Sequence, residues 1–266
     1  MTAEEKIALY EKEGKFDVDI NDDPEAPVLL AKDADYYCKK FKNKVNRKIA
    51  NFIADHYFLK LIEKDVIKID KVYGQEYLEA ALKDGAIVTC NHFSPFDNYI
   101  IFHVIRKYLP KKYLYKVIRE GNYTNFPGLY GYFFKHCNTL PLSSDKRCMM
   151  MFLKAVDTLL KNGESILIYP EQALWPNYEK PRPFKIGAFK MAYKAKCKVL
   201  PIYISFTNSD EVDNNGNPLL IHTVHIMPPV DANEVHSDEE LMQKTFKLYQ
   251  NKYEEVYQKK LVYGEE

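Results

Sequence analysis

The 266 residues carry 38 Lys and Arg against 37 Asp and Glu, a formal net charge of +1, and 46% of them are hydrophobic. That balance argues against a dedicated nucleic-acid binder, and the apolar content is enough for one sizeable α/β core with a small N-terminal addition. The five cysteines (Cys38, Cys90, Cys137, Cys148, Cys197) are scattered, odd in number and without a C-x-x-C pair, which argues against a disulfide framework and for reduced thiols in a cytosolic setting.

Residues 1–35 hold eleven Asp and Glu and four Lys and Arg. They read as a loosely organised arm with a turn at Asn-Asp-Asp-Pro, 21–24. No apolar run there resembles a signal peptide, and no stretch of the chain approaches the ~20 apolar residues of a membrane span. The next block, YYCKKFKNKVNRK at 36–48, has six basic residues and no acid. An acidic lead followed by a basic block suits attachment to an anionic lipid surface, and suits equally a solvated helix face beside a flexible arm. A helix is expected over 38–62, with Val45, Ile49, Phe52, Ile53 and Leu59 on one face and most lysines elsewhere. It is either a membrane-surface helix or one docked on the domain. The domain proper then runs over 63–266.

VIKIDKVYG, 66–74, alternates as a strand does, and GAIVTC, 85–90, reads as a short buried strand. Tyr99–Tyr108 is apolar and helix-like. KYLYKVI, 112–118, is another strand, and NFPGLYGYFF, 125–134, has a Pro-Gly turn followed by aromatics. Met149, Phe152, Leu153, Val156 and Leu160 form one helix face, stopped by Asn162-Gly163. SILIYP, 165–170, is a strand. EQALWPNYEKPRP carries three prolines and must be a loop. A helix over 184–196, a strand over 199–206, a turn at 213–218 and a strand over 221–227 follow. Met242, Phe246, Tyr249, Tyr253, Val256 and Tyr257 line a closing helix. Strands alternating with helices imply an α/β fold with a mostly parallel, helix-covered sheet.

CNHFSPFDNY, 90–99, places His92 and Asp97 five positions apart. On one continuous helix they would sit roughly 140° apart and could not meet. They can meet if His92 leaves the strand before the helix starts and Asp97 lies in its first turn. Ser94 suits an N-cap and Pro95 the first helical position. Two readings stand at this point. Asp97 holds the imidazole Nδ1–H and frees Nε2 to take a proton, or Ser94-x-x-Asp97 is a capping box and His92 a structural residue. One carboxylate has oxygens enough for both roles. There is no G-x-S-x-G elbow, so a His–Asp pair here would activate a substrate hydroxyl. Neither H-E-x-x-H nor C-x-x-C spacing supports a zinc site.

Four blocks in order over roughly 66–230 resemble the glycerolipid acyltransferase family, which includes the lysophosphatidic acid acyltransferases. NHFSPFD, 91–97, matches N-H-x(4)-D. SILIYPEQALW, 165–175, matches the block that usually reads F-P-E-G-T-R as far as Tyr-Pro-Glu. FKIGAF, 184–189, matches F-K-x-G-A-F, and VLPIYI, 199–204, matches the apolar strand with a proline. The resemblance implies a glycerol-3-phosphate acyltransferase-like fold and acyl transfer from acyl-CoA or acyl-acyl-carrier protein to an acceptor hydroxyl. The thioester is a co-substrate, with no bound cofactor or metal. His92 would be the general base, Asp97 its orienting partner, and Asn91 and Glu171 substrate-binding neighbours. Backbone N–H groups after Pro170 are the expected oxyanion donors. The implied partners are a thioester donor or its carrier protein, a lipid acceptor and a membrane surface, with the protein peripheral on its cytoplasmic, inner face.

The sequence departs from the family where phosphate is usually met. Gln172-Ala173-Leu174 replaces Gly-Thr-Arg, and HCNTLPLSS, 136–144, lacks the arginine of the second block. Bidentate phosphate recognition is hard to replace. Either Arg182, Lys185, Lys116 and Arg119 substitute, or the acceptor is a glycolipid or another non-phosphatidate lipid. Gln172, Trp175, Asn177, Tyr178 and Arg182 would suit a sugar-like ring, the membrane interface or loop packing. The loss of both arginines also fits a non-catalytic lipid or acyl-chain binder on the same scaffold, and His92 acting on water would give thioester hydrolysis.

Overall fold

A computed structural model of the chain describes residues 1–20, 26–111, 113–212 and 218–264. The turn expected at 21–24 lies outside them, as does all but Pro218 of the turn at 213–218. The chain runs α1 (Ala3–Lys12), α2 (Phe41–Glu63), β1 (Lys68–Tyr73), α3 (Leu78–Leu82), β2 (Ala86–Cys90), α4 (Asp97–Ile105) and β3 (Leu114–Ile118). It continues α5 (Glu120–Thr124), α6 (Gly128–His136), β4 (Thr139–Pro141), α7 (Lys146–Lys161), β5 (Ser165–Ile168) and α8 (Gly187–Ala195). It ends β6 (Lys198–Val212), β7 (Pro218–Ile226), β8 (Val230–Asp231) and α9 (Asp238–Tyr257).

The strands form one sheet in the order β1-β7-β6-β2-β5-β3-β4, with β8 added to β6. Every pairing is parallel except those of β6 with β7 and with β8. β2 is central and buried along its whole length. Ala86, Val88 and Cys90 pack with α3 and α4 on one face, and Ile87 packs with α7 and α8 on the other. Burial on both faces is why GAIVTC reads as an unbroken apolar run. The β2 residue Ile87 lies opposite Ile166 of β5 and Val199 of β6. The segments following β2 and β5 therefore emerge side by side at the carboxyl edge, where open α/β sheets place their crevices.

Three elements differ from the sequence expectation. The described residues of the N-terminal arm are organised: Thr2 and Glu5 form a capping box on α1, and Ile20 and Leu29 are buried, as is Tyr36 just after it. Its acidic composition hid the apolar residues Ile7, Tyr10, Phe16 and Ile20, which pack with Ala173 and Trp175. The aromatic run at 128–136 is a helix, α6, although Pro127 and two glycines precede or interrupt it. Gly131 is needed there, because a Cβ would lie 1.8 Å from the Phe126 carbonyl oxygen. The strand expected at 199–206 extends to Val212 as β6.

The helix α2 is docked on the domain along one side and leaves apolar residues uncovered on another. Ala50 is buried against α6, with Ala54, Tyr57 and Phe58 partly buried beside Phe133. Val45, Ile49, Phe52 and Ile53 are exposed, as is Phe41. Among the described residues no helix is long and apolar enough to cross a membrane.

Candidate active site

His92 leaves the end of β2 and Asp97 opens α4, two residues later than a Ser94 cap with Pro95 as first helical residue would have placed the helix start. The break lets the side chains meet: His92 Nδ1 lies 3.0 Å from Asp97 Oδ2. The same oxygen accepts the backbone N–H groups of Phe93 at 3.0 Å and Ser94 at 3.1 Å. The imidazole contact and the capping contact are thus one acceptor atom, not one oxygen each. Asp97 is fully buried and its Oδ1 has no hydrogen-bond partner among the described residues. With the carboxylate on Nδ1, the tautomer that donates from Nδ1 leaves Nε2 as a proton acceptor. The His92 side chain is 16% exposed.

Tyr169, one residue past β5, stacks flat on the imidazole, with ring centroids 3.9 Å apart and planes 16° off parallel. Burial pushes its phenol well above the usual range, and Asp97 adds to this. Its hydroxyl has no hydrogen-bond partner among the described residues. The sequence reading did not assign Tyr169 a role. Its only signal there was an aromatic residue immediately before Pro170-Glu171.

Glu171 grips the backbone of the site. Its Oε2 accepts the His92 N–H at 3.1 Å and Arg182 Nη2 at 2.8 Å, and its Oε1 accepts the Arg182 N–H at 3.0 Å. Arg182, expected from the sequence to meet an acceptor phosphate, is instead fully buried. It donates to Glu171, to the carbonyls of Phe16 and His92 at 3.0 and 3.3 Å, and to that of Ala173. Its guanidinium also sits 4.8 Å from the ring centroid of Trp175. Trp175 is buried too, against Phe16 and Tyr178. Its indole N–H donates to Val18 O at 2.8 Å and its backbone N–H to His92 O at 3.1 Å. Fully buried among these neighbours, Trp175 is packing, not an open stacking platform.

The remaining sequence candidates lie apart from one another. The Asn91 amide is buried and clamps the backbone of Ile204 in both directions at 2.9 Å, fastening β2 to β6. Gln172 is exposed and left-handed, with φ 69°. The Gln172 and Ala173 N–H groups bond the carbonyls of Tyr169 and Glu171, so neither is free as the expected oxyanion donor. Lys116 is half-buried, donates to Cys137 O at 3.3 Å and lies over the Phe102 ring; burial pushes its ammonium down. Lys185 pairs with Asp17 at 2.7 Å and Arg119 with Asp19 at 2.9 Å. The hydrogen bond from Lys185 holds the Asp17 carboxyl below its ordinary value. Residues 16–20 therefore form a strap across the loop after β5. Its carbonyls hold Arg182 and Trp175, and its aspartates hold the two cations. Asp17 and Asp19 were legible in the sequence only as part of a general acidic excess.

A family model described as Acyltransferase matches residues 70–205. No curated protein matches. Among solved structures, the 1-acyl-sn-glycerophosphate (LPA) acyltransferase PlsC from Thermotoga maritima superposes with a TM-score of 0.57 at 20% identity, over 85% of this chain and 87% of that one. The shared architecture is the mostly parallel α/β sheet with its helical layers.

Proposed function

The chain belongs to the acyltransferase family, and from that premise we propose that it moves a fatty acyl group from acyl-CoA or acyl-acyl-carrier protein to a hydroxyl of a lipid acceptor. His92 is the general base and Asp97 its orienting partner. The observation that carries this is the 3.0 Å contact between His92 Nδ1 and a fully buried Asp97, at the carboxyl end of the central strand. Nε2 takes the proton of the acceptor hydroxyl as its oxygen attacks the thioester carbonyl. The tetrahedral intermediate collapses to the ester, and the thiolate leaves with the proton from the imidazolium. The thioester is the only co-substrate this chemistry calls for. The exposed apolar stripe of α2 supports a peripheral position on the inner face of a membrane, where both lipids are available.

The decisive measurement is time-resolved mass spectrometry of the protein with an acyl thioester and a fractionated lipid extract. Product beyond one equivalent per protein excludes pure binding, and free fatty acid with no dependence on acceptor would make the reaction a hydrolysis. His92→Ala abolishes ester formation; a folded variant that keeps it removes His92 as the base.

For the acceptor, one observation favours a headgroup other than a phosphomonoester. Arg182, Lys185 and Arg119 are each held by a carboxylate of this chain. Asp17→Asn with Asp19→Asn releases the two outer cations. It should raise activity with lysophosphatidate relative to an uncharged glycolipid acceptor. An unchanged ratio would show that the strap has no part in the selection.

A further inference from the structure

A second feature lies away from His92, between the first half of α2, the segment 33–38, β4 and the end of α6. It is a cavity of about 560 Å³ lined by Lys40, Lys42, Arg47, Lys135 and His136. Two carboxylates, Asp33 and Asp35, line it against four permanent cations. Asp35 is committed to the Lys39 and Lys40 N–H groups and to Asn43. None of the four cations is in an ion pair among the described residues. Burial, then the charges of Lys135 and Lys42, lower the His136 pKa. Four cations against two carboxylates leave the lining with a net positive charge, whereas each strapped cation beside the active site has a carboxylate of its own.

This cavity and the unpartnered apolar stripe of α2 share the first half of the helix. Phe41, Val45, Ile49 and Phe52 recur at helical spacing, and Phe41 and Phe52 are 82% and 64% exposed. Of the α2 residues lining the cavity, Lys42 and Asn46 lie about 100° round the helix from Phe41 and Val45, and Asn43 and Arg47 about 200°, so the cavity runs from the flank of the stripe towards the far side of α2. A helix lying in the plane of a bilayer on that stripe brings its neighbouring side to headgroup depth. Lys and Arg side chains there meet phosphate oxygens, and a guanidinium can take two at once.

We propose that this cavity is a headgroup site for an anionic phospholipid of the membrane on which α2 lies, distinct from the site of acyl transfer. Charge complementarity selects the occupant: the phosphate takes the cations and its acyl tails remain in the layer that the apolar stripe contacts. The lipid orients the enzyme and is not consumed. Vesicle binding is read without turnover, so its failure and the failure of acyl transfer are separate results.

The test is flotation of the whole protein with vesicles of phosphatidylcholine alone and of phosphatidylcholine with phosphatidylglycerol. Lys42→Gln, Arg47→Gln and Lys135→Gln should each lower binding to the anionic vesicles about fivefold, the factor that corresponds to about 1 kcal/mol per basic residue near such a surface. Asn46→Phe, which fills the cavity without changing charge, should also weaken anionic binding and spare neutral binding. Lys60→Gln, exposed on α2 but outside the cavity, should lose less. Equal losses for Lys60→Gln and Lys135→Gln, with Asn46→Phe silent, would reduce the feature to diffuse surface charge and overturn the proposal. So would calorimetric binding of soluble glycerol phosphate that anionic vesicles do not compete away. Should Arg47→Gln melt early through loss of its contacts, Lys135→Gln on α6 carries the test.

Discussion

Glu171→Gln keeps the shape of the side chain and removes its charge. Both carboxylate oxygens face only N–H donors: the His92 backbone and three groups of Arg182. An amide must turn its own NH2 toward at least one of them, and the guanidinium, at 0% exposure, is left without a counter-charge. Breaking one side of a buried pair costs about 3–5 kcal/mol. Against a typical total of about 5–15 kcal/mol, that is a large fraction of the stability of a domain. Urea unfolding followed by far-UV circular dichroism should show the unfolding free energy lowered by that amount, with the midpoint falling by that amount divided by an unchanged slope. Glu171→Met with Arg182→Met leaves no charge behind, so it should destabilise less than the two single losses added together. A cost below about 1 kcal/mol for Glu171→Gln would mean that the pair is solvated, and that the grip of Glu171 on His92 is not as described.

Other outcomes are equally direct. Asp97→Asn should lower turnover within the roughly 10²–10⁴-fold range of a general-base contribution. It should also lower the melting temperature, because Oδ2 serves two backbone N–H groups as well as the imidazole. Asp17→Asn and Asp19→Asn remove half-exposed surface pairs, so each should change stability by no more than about 1 kcal/mol whatever it does to acceptor choice. Burial, and then Lys252, press the His225 pKa down to about 4. The unfolded chain takes its proton near 6.5, so stability is unaffected above that pH and falls as pH drops from 6.5 towards 4, by up to about 3 kcal/mol. Denaturant titrations of His225→Gln across that window should show a flatter acid limb. Gly131→Ala should destabilise by more than about 1 kcal/mol despite the better helix propensity of alanine, because its Cβ meets the Phe126 carbonyl.

What the sequence determined by itself is local. The strand period and the spacing of Asp97 allowed the imidazole and carboxylate to meet, without deciding between a catalytic pair and a cap, because these signals act over a few residues of backbone. The central strand and the helix α7 were legible for the same reason: short-range periodicity and stop signals specify them. The helix α6 was not, because its glycine answers a close backbone approach rather than a helix preference. The fate of the cations was out of reach altogether. Arg182 reads as a candidate for an acceptor phosphate until the fold brings Glu171 and the carbonyls of Phe16, His92 and Ala173 around it. Lys185 and Arg119 look available until the strap delivers Asp17 and Asp19. Ion pairing between residues far apart in the chain depends on where the whole chain closes, so only the tertiary structure could decide which charges remain for a ligand.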